Sequence, residues 1–142
     1  MTTTPPCPTV TVRSYRGNDH AQLCALWSTV FGDADPATMI AKKLEVQPEL
    51  LLVAEASDAL VGSVIAGYDG VRGWIYHLAV TPNWRRRGIA SLLVARAEAD
   101  LVKLGCPKIN LQVRVENQQV VAFYRSLGYL LEERVSMGKR TA

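Results

Sequence analysis

Residues 85–91 read RRRGIAS, three arginines, a glycine, a β-branched residue and two small ones, and the reading of that turn decides the fold. On its N-terminal side WIYHLAV (74–80) alternates as a strand and runs into Thr81, Pro82, Asn83 and Trp84. On its C-terminal side Ile89, Leu92, Leu93, Ala97, Leu101 and Leu104 recur at helical spacing, with Gly105 at the C′ position and Pro107 beyond. INLQVRV (109–115) predicts the next strand. A strand, helix, strand unit over 74–115 predicts a right-handed crossover between parallel strands. The helix then starts at the carboxyl edge of the first strand, where ligands bind in α/β sheets.

Further out, VTVRSY (10–15) predicts a first strand. Asn18 and Asp19 are placed to cap a helix carrying Leu23, Leu26, Trp27, Val30 and Phe31 on one face. A shorter helix starts after Asp35, with Pro36 in its first position, and passes Met39, Ile40 and Leu44 before Pro48. LLLVAEA (50–56) and LVGSVIAGY (60–68) flank a three-residue gap and predict an antiparallel hairpin, and Asp69-Gly70 turns the chain into 74–80. Asn117 opens a last helix carrying Val120, Val121, Phe123, Tyr124 and Leu127, ended by Gly128; YLLEERVSM (129–137) predicts a final strand. The expected order is βααβββαβαβ, with no repeat and no linker: one domain over 10–142 behind a flexible tail, 1–9.

The totals exclude several classes. A chain of 142 residues with 49% apolar and 20% charged residues matches an ordinary globular domain. No apolar run approaches the roughly 20 residues that span a bilayer, and no basic start leads into an apolar core as in a secretory signal. No membrane partner and a cytoplasmic protein are therefore expected. Cys7, Cys24 and Cys106 are odd in number and far apart, with no CxxC or Cys/His cluster, so neither a disulfide framework nor a metal is expected. The net charge of +3 comes largely from the arginine triplet. With no second basic stripe or interleaved aromatic surface, no nucleic-acid partner is expected. Neither GxxxxGK[ST] nor GxGxxG is present.

What remains for the turn is a phosphate cradle, set against the plainer reading of a solvated basic rim. A helix start exposes unpaired N–H groups and a partial positive charge that together stabilise an anion. Gly88 has no side chain to hold a phosphate away, and Ala90 and Ser91 are small. The amides of Arg87, Gly88, Ala90 and Ser91 can converge on one phosphate, with arginine charge at the rim.

Arg85, Gly88 and Ala90 match (Q/R)xxGx(G/A) after an LAVTP strand end, and this resembles motif A of the GNAT (GCN5-related N-acetyltransferase) superfamily. ENQQVVAFYRSLGY (116–129) resembles the family's motif B. With the strand order, the likeness extends over residues 10–138. It implies the α/β (α+β) acyl-CoA N-acyltransferase fold, a mixed, mostly antiparallel sheet with splayed central parallel strands flanked by helices. It also implies acetyl-CoA as co-substrate and a primary amine of a small molecule or protein N-terminus as acceptor; the oligomeric state is open, and an added strand or an exposed helix face could pair two copies as a homodimer. The implied cofactor-binding residues are Leu78, Val80, Arg85, Arg86, Arg87, Gly88, Ile89, Ala90, Ser91, Asn117 and Tyr124. Leu78 would donate its backbone amide to the oxyanion, and Tyr124 would protonate the departing thiolate; a tyrosine there can also be plain core, and Asn117 can simply cap its helix. Ribosomal-protein alanine acetyltransferases of the family carry Glu where this chain has Gln112. That departure leaves Glu116, His77, Tyr76, Asp69 and Glu55 as candidate bases, Glu116 being the one assigned. Cys106 lacks a partner His, so direct transfer is expected. The alternative is a non-catalytic acyl-CoA sensor or scaffold with the same fold.

Overall fold

A computed structural model describes residues 9–142; Cys7 and most of the expected tail lie outside that range. The chain divides into two units, one running to Leu111 and the other from Gln112 to Ala142.

The first unit holds β1 (Thr11–Ser14), α1 (His20–Phe31), α2 (Pro36–Leu44), β2 (Leu51–Ala56), β3 (Ala59–Tyr68), β4 (Gly73–Val80), α3 (Ile89–Lys103) and β5 (Ile109–Asn110). The five strands form one sheet in sequential order, antiparallel through β4, with β4 and β5 parallel. Ser57 and Asp58 both take positive φ, 52° and 63°, the pair that a two-residue turn needs to match the twist of the β2–β3 hairpin. Val71 and Arg72 donate their amides to Asp69 Oδ1 at 2.8 and 2.7 Å, closing the β3–β4 turn.

Alternation along β3 assigns the two faces. Ser63 accepts a hydrogen bond from Trp27 Nε1 at 2.9 Å, so the odd positions face α1. A Cβ on Gly62 would lie 3.0 Å from Leu93 and 3.2 Å from Ile89, so the even positions face α3. Leu23, Leu26, Trp27 and Ile40 pack with Val53, Ile65 and Ala79 on the first face. On the second, α3 buries Ile89, Leu93, Val94, Ala97 and Leu101. Both faces being covered explains why β2 and β3 read as nearly unbroken apolar runs.

Three local expectations give way. Asp19 precedes α1 but does not cap it with its side chain. Its carboxylate instead accepts from both terminal nitrogens of Arg13 at 2.8 and 2.9 Å, charge-assisted bonds that outcompete a neutral amide. The strand expected over 109–115 stops at Asn110, so the β4–β5 ladder is only two pairs long, Gly73↔Ile109 and Trp74↔Asn110. The expected strand over 129–137 does not form; Leu130, Leu131, Val135 and Met137 are exposed there. Alternation states a preference for the pleat, but a strand exists only where a neighbour accepts its backbone bonds.

The second unit is built on α4 (Gln118–Ser126). Asn117 occupies the N-cap position without a side-chain cap bond, and Gly128, at φ 97°, follows its C-terminus. Gln112 Nε2 donates to Ser136 Oγ at 2.8 Å.

Candidate active site

The RRRGIAS turn forms as a backbone nest. Arg86 and Gly88 both take left-handed φ, 62° and 79°. A non-glycine residue in that region is strained by roughly 1–2 kcal/mol and marks an enforced geometry. Gly88 is the N-cap of α3 with no side-chain cap, and the first helical bond runs from Leu92 N to Gly88 O. Among the described residues, no hydrogen bond uses the amides of Arg87, Gly88, Ala90 or Ser91. A Cβ on Gly88 would meet nothing within 4 Å. Four unpaired donors at a helix N-terminus, with open space where a Gly88 side chain would stand, could take an anionic group such as a phosphate.

The arginines divide the work. Arg85 Nε donates to Val80 O at 3.3 Å, pinning the turn to the end of β4 and supplying that carbonyl with a donor. Arg87 lies over the Trp84 ring, 4.7 Å from its centroid. Arg86 is exposed, as are the other two. Ile89 is buried as the first core residue of α3, so only its main chain could face an anion at the turn.

Leu78 and Val80 are half-buried on β4. Between Ile65↔Tyr76 and Ser63↔Ala79 the strand carries one residue more than its partner, a bulge opposite Val64. His77 sits in it at φ 57°. Its Nε2 lies 2.9 Å from Asp33 Oδ2, its ring stacks on Phe31 at 4.0 Å, and it meets Trp27 edge-on at 4.7 Å. These contacts hold a strained residue in place and turn the main chain at Leu78 out of the regular ladder. Asp33 was not singled out from the sequence, since its partner is 44 residues away.

The other candidate bases divide sharply. Glu55 accepts from Arg13 Nε at 3.1 Å and Nη2 at 2.6 Å, in a cluster shared with Asp19. Asp69 holds its turn, and the amides of Arg72 and Val71 keep its carboxyl below the usual range. Burial pushes the Tyr76 hydroxyl up. Tyr76 and Asp69 line a cavity of about 710 Å³ beside α2, on the α1–α2 face of the sheet. Lys43, on its wall, was also missed. The available signal was a lysine at i+3 from Ile40 and i+7 from Pro36, on the buried stripe of α2.

In the second unit Glu116 and Asn117 are exposed. Tyr124 is buried, its ring edge-on to Phe123 at 5.1 Å and Tyr129 at 5.5 Å, and burial pushes its hydroxyl pKa up to about 12. Among the described residues no three His, Cys, Asp or Glu side chains gather as a metal site, and no helix is long and apolar enough to cross a membrane.

Comparison with known proteins identifies the family and the fold. The family model "Acetyltransferase (GNAT) family" matches residues 20–129. Acetyltransferase YE1169 of Yersinia enterocolitica is 44% identical over 122 residues, 86% of this chain and 82% of that protein. Acetyltransferase SG1711 of Sodalis glossinidius is 42% identical over 133 residues, 91% of this chain and 94% of that one. Among solved structures, the aminoglycoside N-acetyltransferase AAC(6')-Iy in complex with CoA superposes with a TM-score of 0.82 at 19% identity, covering 99% of this chain and all of that chain. Ard1 from Thermoplasma volcanium superposes with a TM-score of 0.80 at 21% identity, covering 87% and 84%. The family motifs expected around Gly88 and Tyr124 both fall inside the matched span, and the chain belongs to the GNAT acetyltransferase family.

Proposed function

We propose that residues 10–142 act as one domain that moves an acetyl group from acetyl-CoA to a primary amine of a small molecule or protein N-terminus, by direct transfer in the cytoplasm. The observation that carries this reading is the nest at Arg86–Gly88, with its four unused amides, next to a β4 bulge whose ladder with β5 ends early. The complex of AAC(6')-Iy with CoA supports the choice of donor.

Arg87, Gly88, Ala90 and Ser91 hold the pyrophosphate through their main chain, and Arg85 and Arg86 add charge at the rim. Leu78 and Val80 face the pantetheine arm, with Asn117 and Tyr124 contributing from the motif that contains α4. The bound acetyl thioester supplies an activated carbonyl. The Leu78 amide donates to the carbonyl oxygen as negative charge gathers there, a kind of interaction whose loss costs roughly 3 kcal/mol. The amine forms the C–N bond, the C–S bond breaks, and the Tyr124 hydroxyl gives its proton to the thiolate. A hydroxyl with a pKa of about 12 keeps its proton at neutral pH, as a donor must, but the same shift makes it a weaker acid, so the transfer has to be concerted with C–S cleavage. Glu116 is the proposed acceptor of the proton that the amine sheds.

Gly88→Asp tests the cradle. A carboxylate placed among the nest amides satisfies them itself and repels phosphate, so calorimetric titration with CoA is expected to show no binding. Binding equal to that of the parent overturns the reading. CoA binding by the parent with no thiol release across a library of amines points instead to a sensor or scaffold.

A further inference from the structure

The wall of the cavity beside α2 carries a cation that no hydrogen bond or ion pair among the described residues holds, the Glu49 charge acting on it only from a distance. Lys43 is only 8% exposed, and among the described residues its ammonium has no hydrogen bond or salt bridge. The other charges on the wall are accounted for. Asp35 accepts from the amide and hydroxyl of Thr38 as the cap of α2, and Asp69 is held by its turn. Lys42 is exposed. Burial holds the Lys43 ammonium below its ordinary pKa, with the Glu49 charge opposing only in part. No buried side-chain nitrogen among the described residues lacks a partner, so the Lys43 ammonium is open to the cavity while its stem is buried, and lysines this little exposed are ordinarily paired. One at the wall of an open cavity is explained when the occupant brings the anion.

The space next to Lys43 suits such a group. A Cβ built on Gly67 would lie 3.8 Å from Lys43 Nζ and 3.8 Å from Gln47 Oε1, so the bare backbone of Gly67 leaves room against the sheet at the ammonium. Met39, Val46, Trp74 and Tyr76 make the walls apolar. Gly67 pairs with Trp74, and Val64 faces the bulge that contains Leu78. Three residues of β3 separate these levels, about 10 Å along the strand.

We propose that Lys43 binds the carboxylate of the acceptor, and that the acceptor is an elongated amino acid with its amine about 10 Å from its carboxylate and an apolar chain between them. The position of the amine end rests on acetyl transfer at the β4 bulge; the carboxylate end rests on the cavity alone. α-Amino acids are too short to reach both points. Polycationic amines place a like charge against Lys43.

The test uses 8-aminooctanoate, whose extended length matches the span, and its methyl ester. Both are titrated calorimetrically into the full chain without CoA and with CoA present. The acid is expected to bind about tenfold more tightly than the ester, as a charge-assisted contact predicts. Lys43→Met keeps the stem, removes the charge and is expected to abolish the preference while melting no lower than the parent. Gly67→Ala, whose methyl makes only ordinary contacts, is expected to weaken the acid and spare the ester. It keeps the proposal testable if the lysine variant fails to fold. Equal binding of acid and ester by the parent, no binding of either, or a preference that survives Lys43→Met overturns the proposal. Lys43-dependent binding of the acid by a chain that does not bind CoA leaves the pocket standing and removes acetyl transfer; CoA binding with no acid preference does the reverse.

Discussion

At the residue scale, Tyr124 is the side chain whose chemistry and packing can be separated by experiment. Its ring sits among Phe123 and Tyr129, and its hydroxyl is held at about 12 by burial. Tyr124→Phe preserves the ring and removes the proton. Affinity for CoA is expected to stay within a factor of about two while turnover falls about 100-fold, measured as thiol release at saturating donor. The same substitution has an alkaline signature. A hydroxyl whose pKa is raised in the folded state leaves stability intact below the unfolded value of about 10, and stability falls as pH climbs from there toward 12. The parent is expected to lose about 3 kcal/mol more than Tyr124→Phe across that window, read from urea midpoints. Tyr124 was singled out from the sequence because it lies in a local motif on a helix ended by Gly128, whereas its burial came from the fold.

At the scale of elements, the start of β4 shows how closely the sheet and α3 approach. A Cβ on Gly73 would fall 2.5 Å from Cys106 Sγ and 3.4 Å from Leu101, where Gly73 N donates to Lys108 O and the two-pair ladder with β5 begins. Gly73→Ala is expected to destabilise by about 2 kcal/mol through overpacking. In a Cys106→Ala background most of that loss should vanish, and a double-mutant cycle in urea measures the coupling. Independent, additive losses would mean that the contact does not govern this corner. The cysteine thus has a packing reason for its place, with Sγ donating to Lys108 O at 3.2 Å. Elements with strong local signals matched their expectations closely: the β2–β3 turn, Pro36 opening α2, and Gly105 closing α3 at φ 89°. The last two expected strands did not: pairing with β4 stops after Ile109 and Asn110, and among the described residues 129–137 forms no strand despite its alternation.

At the scale of the whole molecule, Arg13 joins β1 to Asp19 ahead of α1 and to Glu55 on β2. The Arg13 guanidinium holds the Asp19 carboxyl below the usual carboxylate range, with the Arg16 amide assisting. A depressed folded pKa contributes stability that is fully present above the unfolded value of about 3.9 and is lost as pH falls from there toward the lower folded value. Arg13→Met strands a buried carboxylate and is expected to cost about 3 kcal/mol at pH 7, with a shallower loss below pH 4, checked by thermal melts across pH. The sequence by itself determined whatever is written within a turn or two of chain: the helical stripes, the hairpin, the glycine that opens α3, and the motifs that mark the family. Tertiary structure alone decided which distant groups meet. Asp33 reaches the His77 bulge, Asp19 leaves its helix for Arg13, and Lys43 ends beside Gly67 with no hydrogen bond or ion pair among the described residues. The physical reason is that propensity and capping act between residues a few positions apart, whereas the burial of a charge and the pairing of a strand depend on neighbours that the fold supplies.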